Sequence, residues 1–179
     1  MQSTPDPPES AEIITFCRRQ ICLRRLRAND RPLLEHLVAL TDLHDLRMRF
    51  LGGFHALPPN LLDHLTRIDP EQRITLVATS TTSGGNEEIL AVGRAHALAE
   101  NNAELGLLVR SDLKGMGLGS LLLERLIARC RSRGIAHLEA DVFRENIRML
   151  RLADRYGFLR KSQQFDTTHL VLDLDPLAA

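Results

Sequence analysis

The stretch Leu108–Leu126, LVRSDLKGMGLGSLLLERL, places glycines at 115, 117 and 119 directly before a run of strong helix formers. Glycine destabilises a helix or strand interior by about 1 kcal/mol relative to alanine, so three at alternate positions mark a backbone requirement. Two common phosphate motifs are excluded. A dinucleotide fingerprint beginning at Gly115 and Gly117 needs glycine where Ser120 stands, and a P-loop needs Gly-Lys-Ser/Thr where the chain has Gly119, Ser120 and Leu121. A strand, a glycine loop and a helix fit the pattern. The N–H groups of residues 115–120 are then unshielded by side chains and backed by the positive end of the helix dipole, which makes an anion site. The other reading of the same glycines is a turn that lets strand and helix pack closely.

Downstream of the loop the helix runs to Arg133 and ends at Gly134, a left-handed closing position with arginines in the last turn. IAHLEADVF (135–143) alternates as a strand, with Leu138, Ala140 and Val142 on one side and His137, Glu139 and Asp141 on the other. NIRMLRLADRY (146–156) reads as a helix closed by Gly157, and FLRKSQQF (158–165) and THLVLDL (168–174) as two final strands. Upstream, RITLVATS (73–80) and EEILAVGRAHALAE (87–100) flank the turn signal TTSGGN, and AELGLLVR (103–110) is the strand entering the loop. EIITFCRR (12–19) and QICLRRL (20–26) read as a hairpin. AND (28–30) offers an N-cap for a helix over RPLLEHLVAL (31–40). TDLHDLRMRFLGG (41–53) is a second helix capped by Thr41 and ended by Gly52, and PPNLLDHLTRI (58–68) a third, with proline at its start.

With 179 residues, 44% hydrophobic and 26% charged, the chain suits one domain over residues 12–179, preceded by a disordered proline-rich tail, 1–11. Its 23 basic and 23 acidic residues cancel, which argues against a nucleic-acid binder. No apolar run has the length of a signal peptide or a membrane span. Cys17, Cys22 and Cys130 are an odd set with no zinc spacing, so free thiols in a reducing cytoplasm are expected and no metal is. His44, His55 and His64 read as surface or capping residues, and Arg125, Arg129 and Arg133 as a solvated helix face.

The loop resembles the acyl-CoA-binding motif of the GNAT acetyltransferase superfamily, R/Q-x-x-G-x-G/A, with Lys114, Gly117 and Gly119 at its fixed positions and lysine replacing the usual arginine or glutamine. ENIRMLRLADRYGF is similar to the family's second signature, an asparagine, Asn146, eleven residues before Gly157 and Phe158. The order of elements matches over roughly residues 20–174. The resemblance implies an α/β (α+β) fold, a mixed and mostly antiparallel sheet with two splayed strands, flanked by helices. It implies that Lys114, Gly115, Met116, Gly117, Leu118, Gly119 and Ser120 cradle the pyrophosphate of acetyl-CoA, with Asn146 beside them. Leu107, Leu108 and Val109 would offer backbone groups to the pantetheine arm, and the acetyl group would pass directly to an amine without metal.

An amine attacks only when unprotonated, and a lysine amine has a pKa of about 10.4, so a base is needed near neutrality. Glu104 stands where many relatives place a glutamate base, and Asp141 and Glu139 on the neighbouring strand are the reserves. The tyrosine that usually protonates the leaving thiolate lies seven residues after the asparagine, where this chain has Ala153. Tyr156, the only tyrosine, reads as a packing residue. Asn146, Met149, Leu150, Leu152 and Ala153, with the upstream segment from Arg49–Phe50 to Leu65, Thr66 and Asp69, resemble the branch of bacterial protein lysine acetyltransferases. That branch implies a protein lysine acceptor, with an acyl-CoA synthetase among the partners. A small-amine acceptor and a non-catalytic acyl-CoA sensor are the two other readings.

Overall fold

The computed structural model describes residues 11–16, 19–52, 63, 65–67, 69, 71–98 and 101–174. Their order is β1 (Glu12–Phe16), β2 (Arg19–Arg25), α1 (Arg31–Ala39), α2 (Leu43–Phe50), β3 (Arg73–Thr81), β4 (Glu87–Ala97), β5 (Asn102–Val109), α3 (Leu118–Ser132), β6 (His137–Phe143), α4 (Ile147–Arg155), β7 (Leu159–Gln164) and β8 (Thr167–Asp173). The strands form one eight-stranded sheet in the order β1-β2-β3-β4-β5-β6-β8-β7. Every neighbouring pair is antiparallel except β5 and β6. The expected mixed sheet between helices is therefore the observed one. Residues 1–10 of the expected tail, most of the expected helix 58–68, Cys17, His55 and His64 lie outside the described residues.

Helical periodicity decides what each face buries. Leu118, Leu122, Leu123, Leu126, Ile127 and Cys130 recur on one stripe of α3 and are all buried, packing with α4 residues Leu150 and Ala153 on one side of the sheet. A fully buried leucine contributes about 1.5–3 kcal/mol relative to an exposed one, so this stripe dominates the larger core. On the other side α1 and α2 bring Leu34, Leu37 and Leu46 against Val77, Val92 and Leu108. In β6 the predicted alternation holds, with Leu138, Ala140 and Val142 buried. Burial also pushes the Cys130 thiol up to about 12, which keeps it protonated and inert.

Four local expectations give way to tertiary contacts. Asp30 does not cap α1 with its side chain. Its carboxylate accepts two hydrogen bonds from buried Arg24, at 2.6 and 2.8 Å, and one from the Arg27 N–H at 2.7 Å. A bidentate charge-assisted pair is stronger than a neutral cap bond. Thr41 does not cap α2 either, because its hydroxyl donates backward to the Leu37 carbonyl at 2.7 Å, and Asp42 is the N-cap residue. Leu51, not Gly52, closes α2 in the left-handed conformation, φ 51°. Arg125 is not merely solvated: its guanidinium holds both carboxylate oxygens of Glu12, at 2.7 and 2.8 Å, tying β1 to α3.

β5 and β6 pair only through Asn102–Glu104 and His137–Glu139. Beyond that seam β5 stays with β4 as far as Val109 and β6 stays with β8 as far as Phe143. The two strands part, and the site lies where they part.

Candidate active site

The glycine loop hangs from Arg110 at the end of β5. This buried guanidinium donates to Glu88 at 2.8 Å and to Asp112 at 2.7 Å, which fixes where the chain leaves the sheet. Gly115 and Gly117 take φ of 79° and 102°, a region L side chains avoid. The first bond of α3 runs from the Leu121 N–H to the Gly117 carbonyl at 3.0 Å, and none of the N–H groups of 115–120 donates to a described residue. A Cβ at Gly115 would meet nothing within 4 Å and one at Gly119 nothing nearer than 3.7 Å, whereas one at Gly117 would come within 3.3 Å of the Phe16 ring. An open, unpaired row of amides at a helix N-terminus fits the pyrophosphate of a coenzyme A thioester. Lys114 joins the loop to α2 through a salt bridge with Asp45.

The gap between the strands supplies a second set of free backbone groups. The Arg110 N–H donates to the Leu90 carbonyl of β4 at 3.0 Å. Backbone direction alternates along a strand, so Leu107 and Val109 turn their N–H and C=O groups to the gap. Leu108, expected beside them, turns its backbone toward β4 and its side chain into the α1–α2 core. It serves only as wall.

A cavity of about 590 Å³ runs through this gap. It is lined by Glu104, Leu107, Leu108, Val109, Lys114, Gly115, Gly117, Leu118, Gly119, Ser120 and Asn146, so one space gathers residues the sequence singled out separately. Met116 is not among them; its side chain points to solvent. Asn146 lines the cavity while its side-chain oxygen accepts from the Met149 N–H at 3.1 Å, capping α4. Sequence reasoning passed over the cations of α4, Arg148, Arg151 and Arg155, which line the same cavity.

Three carboxylates border the cavity: Asp45, Glu104 and Asp141. Asp45 accepts from the Ser111 hydroxyl at 2.6 Å as well as pairing with Lys114. Burial pushes its pKa up, but these bonds more than offset it and hold the carboxyl below the usual aspartate range. Asp141 lies 3.0 Å from His169 Nδ1. Glu139, outside the lining, accepts from Asn102 at 2.7 Å and faces His169 Nε2 at 3.7 Å. Glu104 alone of the three has no hydrogen bond or salt bridge with a described residue, and it is exposed to the cavity. Tyr156 does not line it; its hydroxyl donates to the Ser120 carbonyl at 3.1 Å, bracing α4 against α3.

Behind Glu104 the α1–α2 side of the sheet carries cations that no motif announced. Arg94, opposite Gly106 in β4, is buried and donates to Thr75 at 3.2 Å and to the Leu65 carbonyl; burial, with Arg73 and Arg49 nearby, pushes it down to about 10. Burial and Arg73 likewise lower the pKa of His96, so it is neutral near pH 7. Arg49 reaches in from α2. Its pair with Phe50 was legible as part of a segment, without a role.

A model of the acetyltransferase (GNAT) family matches residues 40–158. The acetyltransferase PA5475 of Pseudomonas aeruginosa is 27% identical over 153 residues, 86% of this chain and 82% of that protein. Among solved structures, the GNAT domain of S. lividans PAT superposes with a TM-score of 0.80 at 24% identity, covering 92% of this chain and 97% of that one. A putative phosphinothricin N-acetyltransferase superposes at 0.69, with 19% identity over 87% of this chain and 99% of that one. The chain belongs to the GNAT acetyltransferase family and is an N-acetyltransferase. Acetyl-CoA is the cosubstrate of that family, and the loop and gap fit it.

Proposed function

We propose that the chain transfers the acetyl group of acetyl-CoA to the side-chain amine of a protein lysine, with Glu104 as the base. The observation that carries this reading is the carboxylate of Glu104, without a hydrogen bond or salt bridge among the described residues and exposed in the cavity beside the point where β5 and β6 part. The N–H groups of residues 115–120 would hold the pyrophosphate, with Lys114 and Asn146 at its borders, and the backbone of Leu107 and Val109 the pantetheine arm. When bound, acetyl-CoA supplies an activated thioester. Glu104, directly or through one water, takes the proton the acceptor ammonium must lose before it can attack. With Ala153 in the usual acid's place and Tyr156 bonded to Ser120, solvent or the substrate itself protonates the departing thiolate.

The lysine acceptor is supported by the helix signature from Asn146 to Ala153, which resembles the branch of bacterial protein lysine acetyltransferases. An acyl-CoA synthetase is the partner that resemblance favours. The free thiols Cys22 and Cys130 suit a reducing cytoplasm. A small-amine acceptor is the second reading, supported by the superposition on the putative phosphinothricin enzyme. Isotopically labelled acetyl-CoA in a cell lysate separates the two: label on protein lysines supports the first, and label confined to small amines refutes it.

Glu104→Gln tests the base. Loss of a general base lowers kcat/KM by about 10²–10⁴-fold at neutral pH. The deficit should shrink as pH rises toward the amine pKa of about 10.4, while acetyl-CoA affinity stays put. A variant with the wild-type rate at every pH clears Glu104 and passes the role to Asp141.

A further inference from the structure

The guanidinium of Arg49 lies against Gly106 so closely that a Cβ built on that glycine would fall on the guanidinium itself. Only glycine permits this approach. Arg49, carried by α2, thereby lines the cavity against a strand position two residues along β5 from Glu104. Among the described residues it makes no hydrogen bond or salt bridge. Its neighbours are the Phe50 ring, centred 5.0 Å from its Cζ, and the negative charge of Glu104. A guanidinium carries five N–H donors in a planar fork matched to a carboxylate. Burial pushes the Arg49 pKa down, and the pull of Glu104 does not fully offset it. Arg94, behind it, donates to Thr75 and Leu65, and its charge repels Arg49.

Beside Glu104 the cavity therefore presents the guanidinium groups of Arg49 and Arg94, of which Arg49 makes no hydrogen bond to a described residue. An acceptor bearing only an ammonium would pair with Glu104 and leave Arg49 unanswered. We infer that Arg49 is a specificity-determining residue that receives a carboxylate of the acceptor, held beside the amine that Glu104 receives. The inference rests on the placement of the acceptor amine at Glu104. Two sources carry the same chemistry: an acidic side chain flanking a target lysine in a protein, and the α-carboxylate of a small amino acid.

Two matched acceptor pairs test it with saturating acetyl-CoA. The first is a lysine peptide flanked by glutamates against the same peptide flanked by glutamines; the second is lysine against lysinamide. The wild type should favour the carboxylate member of at least one pair by about ten- to hundredfold in kcat/KM, the range of a charge-assisted hydrogen bond. Arg49→Gln should bring that ratio to about one, and Arg49→Lys should retain part of it. Gly106→Ala, which displaces the guanidinium from the other side, should lower the ratio without altering Arg49, so the test survives an ill-folded Arg49 variant. A wild-type ratio near one in both pairs overturns the inference, as does an Arg49→Gln variant that keeps the preference. Preference confined to free lysine supports the Arg49 assignment and refutes the protein-lysine reading if the peptides are untouched. Equal turnover of both peptides and both amino acids leaves the lysine reading standing and removes the Arg49 assignment. Turnover of none of the four overturns both.

Discussion

Replacing Gly117 by alanine acts on the fold and the cradle in separable ways. The backbone there has φ of 102°, and left-handed geometry costs an L residue about 1–2 kcal/mol. The new methyl would also stand 3.3 Å from the Phe16 ring. Relieving such a contact in a packed region costs about 1–3 kcal/mol. Together the loss is about 2–5 kcal/mol, which at about 2–4 °C per kcal/mol lowers Tm by about 4–20 °C. Thermal melts of the ligand-free protein measure it. In a Phe16→Ala background the contact vanishes and the cost of Gly117→Ala should fall to the backbone part, so the two substitutions should couple by about 1 kcal/mol or more. Gly117→Asp adds a carboxylate beside the phosphates, and calorimetry should show acetyl-CoA binding at least tenfold weaker than in Gly117→Ala, about 1.4 kcal/mol. An alanine variant as stable as the wild type, or additive effects with Phe16→Ala, would refute the steric argument. Unchanged acetyl-CoA affinity in a folded aspartate variant would refute the phosphate cradle.

Tyr156→Phe should keep most of the turnover and lose about 0.5–1.5 kcal/mol of stability with the bond to Ser120. A fall of several orders of magnitude in kcat at intact acetyl-CoA affinity would instead make Tyr156 the acid. Asp45→Asn should expose a pH-dependent contribution. The folded carboxyl of Asp45 titrates below its unfolded value, so its stabilisation is fully present above the unfolded pKa and lost as pH falls through the folded one. Denaturation at neutral pH should show the wild type more stable than the variant, with the gap closing in strong acid. A gap independent of pH would mean that the Lys114 pair contributes nothing electrostatic.

The parts of the fold that were legible in the sequence are those where local pattern and tertiary contact agree. α3 announces its buried stripe at helical spacing, β6 alternates, and the glycines mark a backbone requirement that the structure shows as positive φ at 115 and 117. Glu104, singled out through the family resemblance, does line the cavity. What stayed hidden depends on partners distant in sequence. Glu12 and Arg125 are 113 residues apart, and Asp42 finds the Ser111 hydroxyl across 69 residues. Leu108 was misjudged because a run of three apolar residues does not reveal which backbone groups face the gap; the Arg110–Leu90 bond does. Arg49 stayed hidden because its environment is made by Gly106, and neither residue carries a signal about the other.

The seam between β5 and β6 bears on how the molecule yields under load. Three residue pairs join a five-strand block, β1 to β5, to a three-strand block, β6 to β8, and within each block neighbouring strands pair at greater length. Least hydrogen bonding has to give at that seam, so it is the compliant line of the sheet. Rotation of one block against the other about Ala103–Glu104 and Leu138–Glu139 would widen or narrow the wedge while the remaining strand pairings stay intact. The cavity thus sits along the most shortly paired seam of the described sheet, where a change in wedge angle would cost the fewest strand hydrogen bonds.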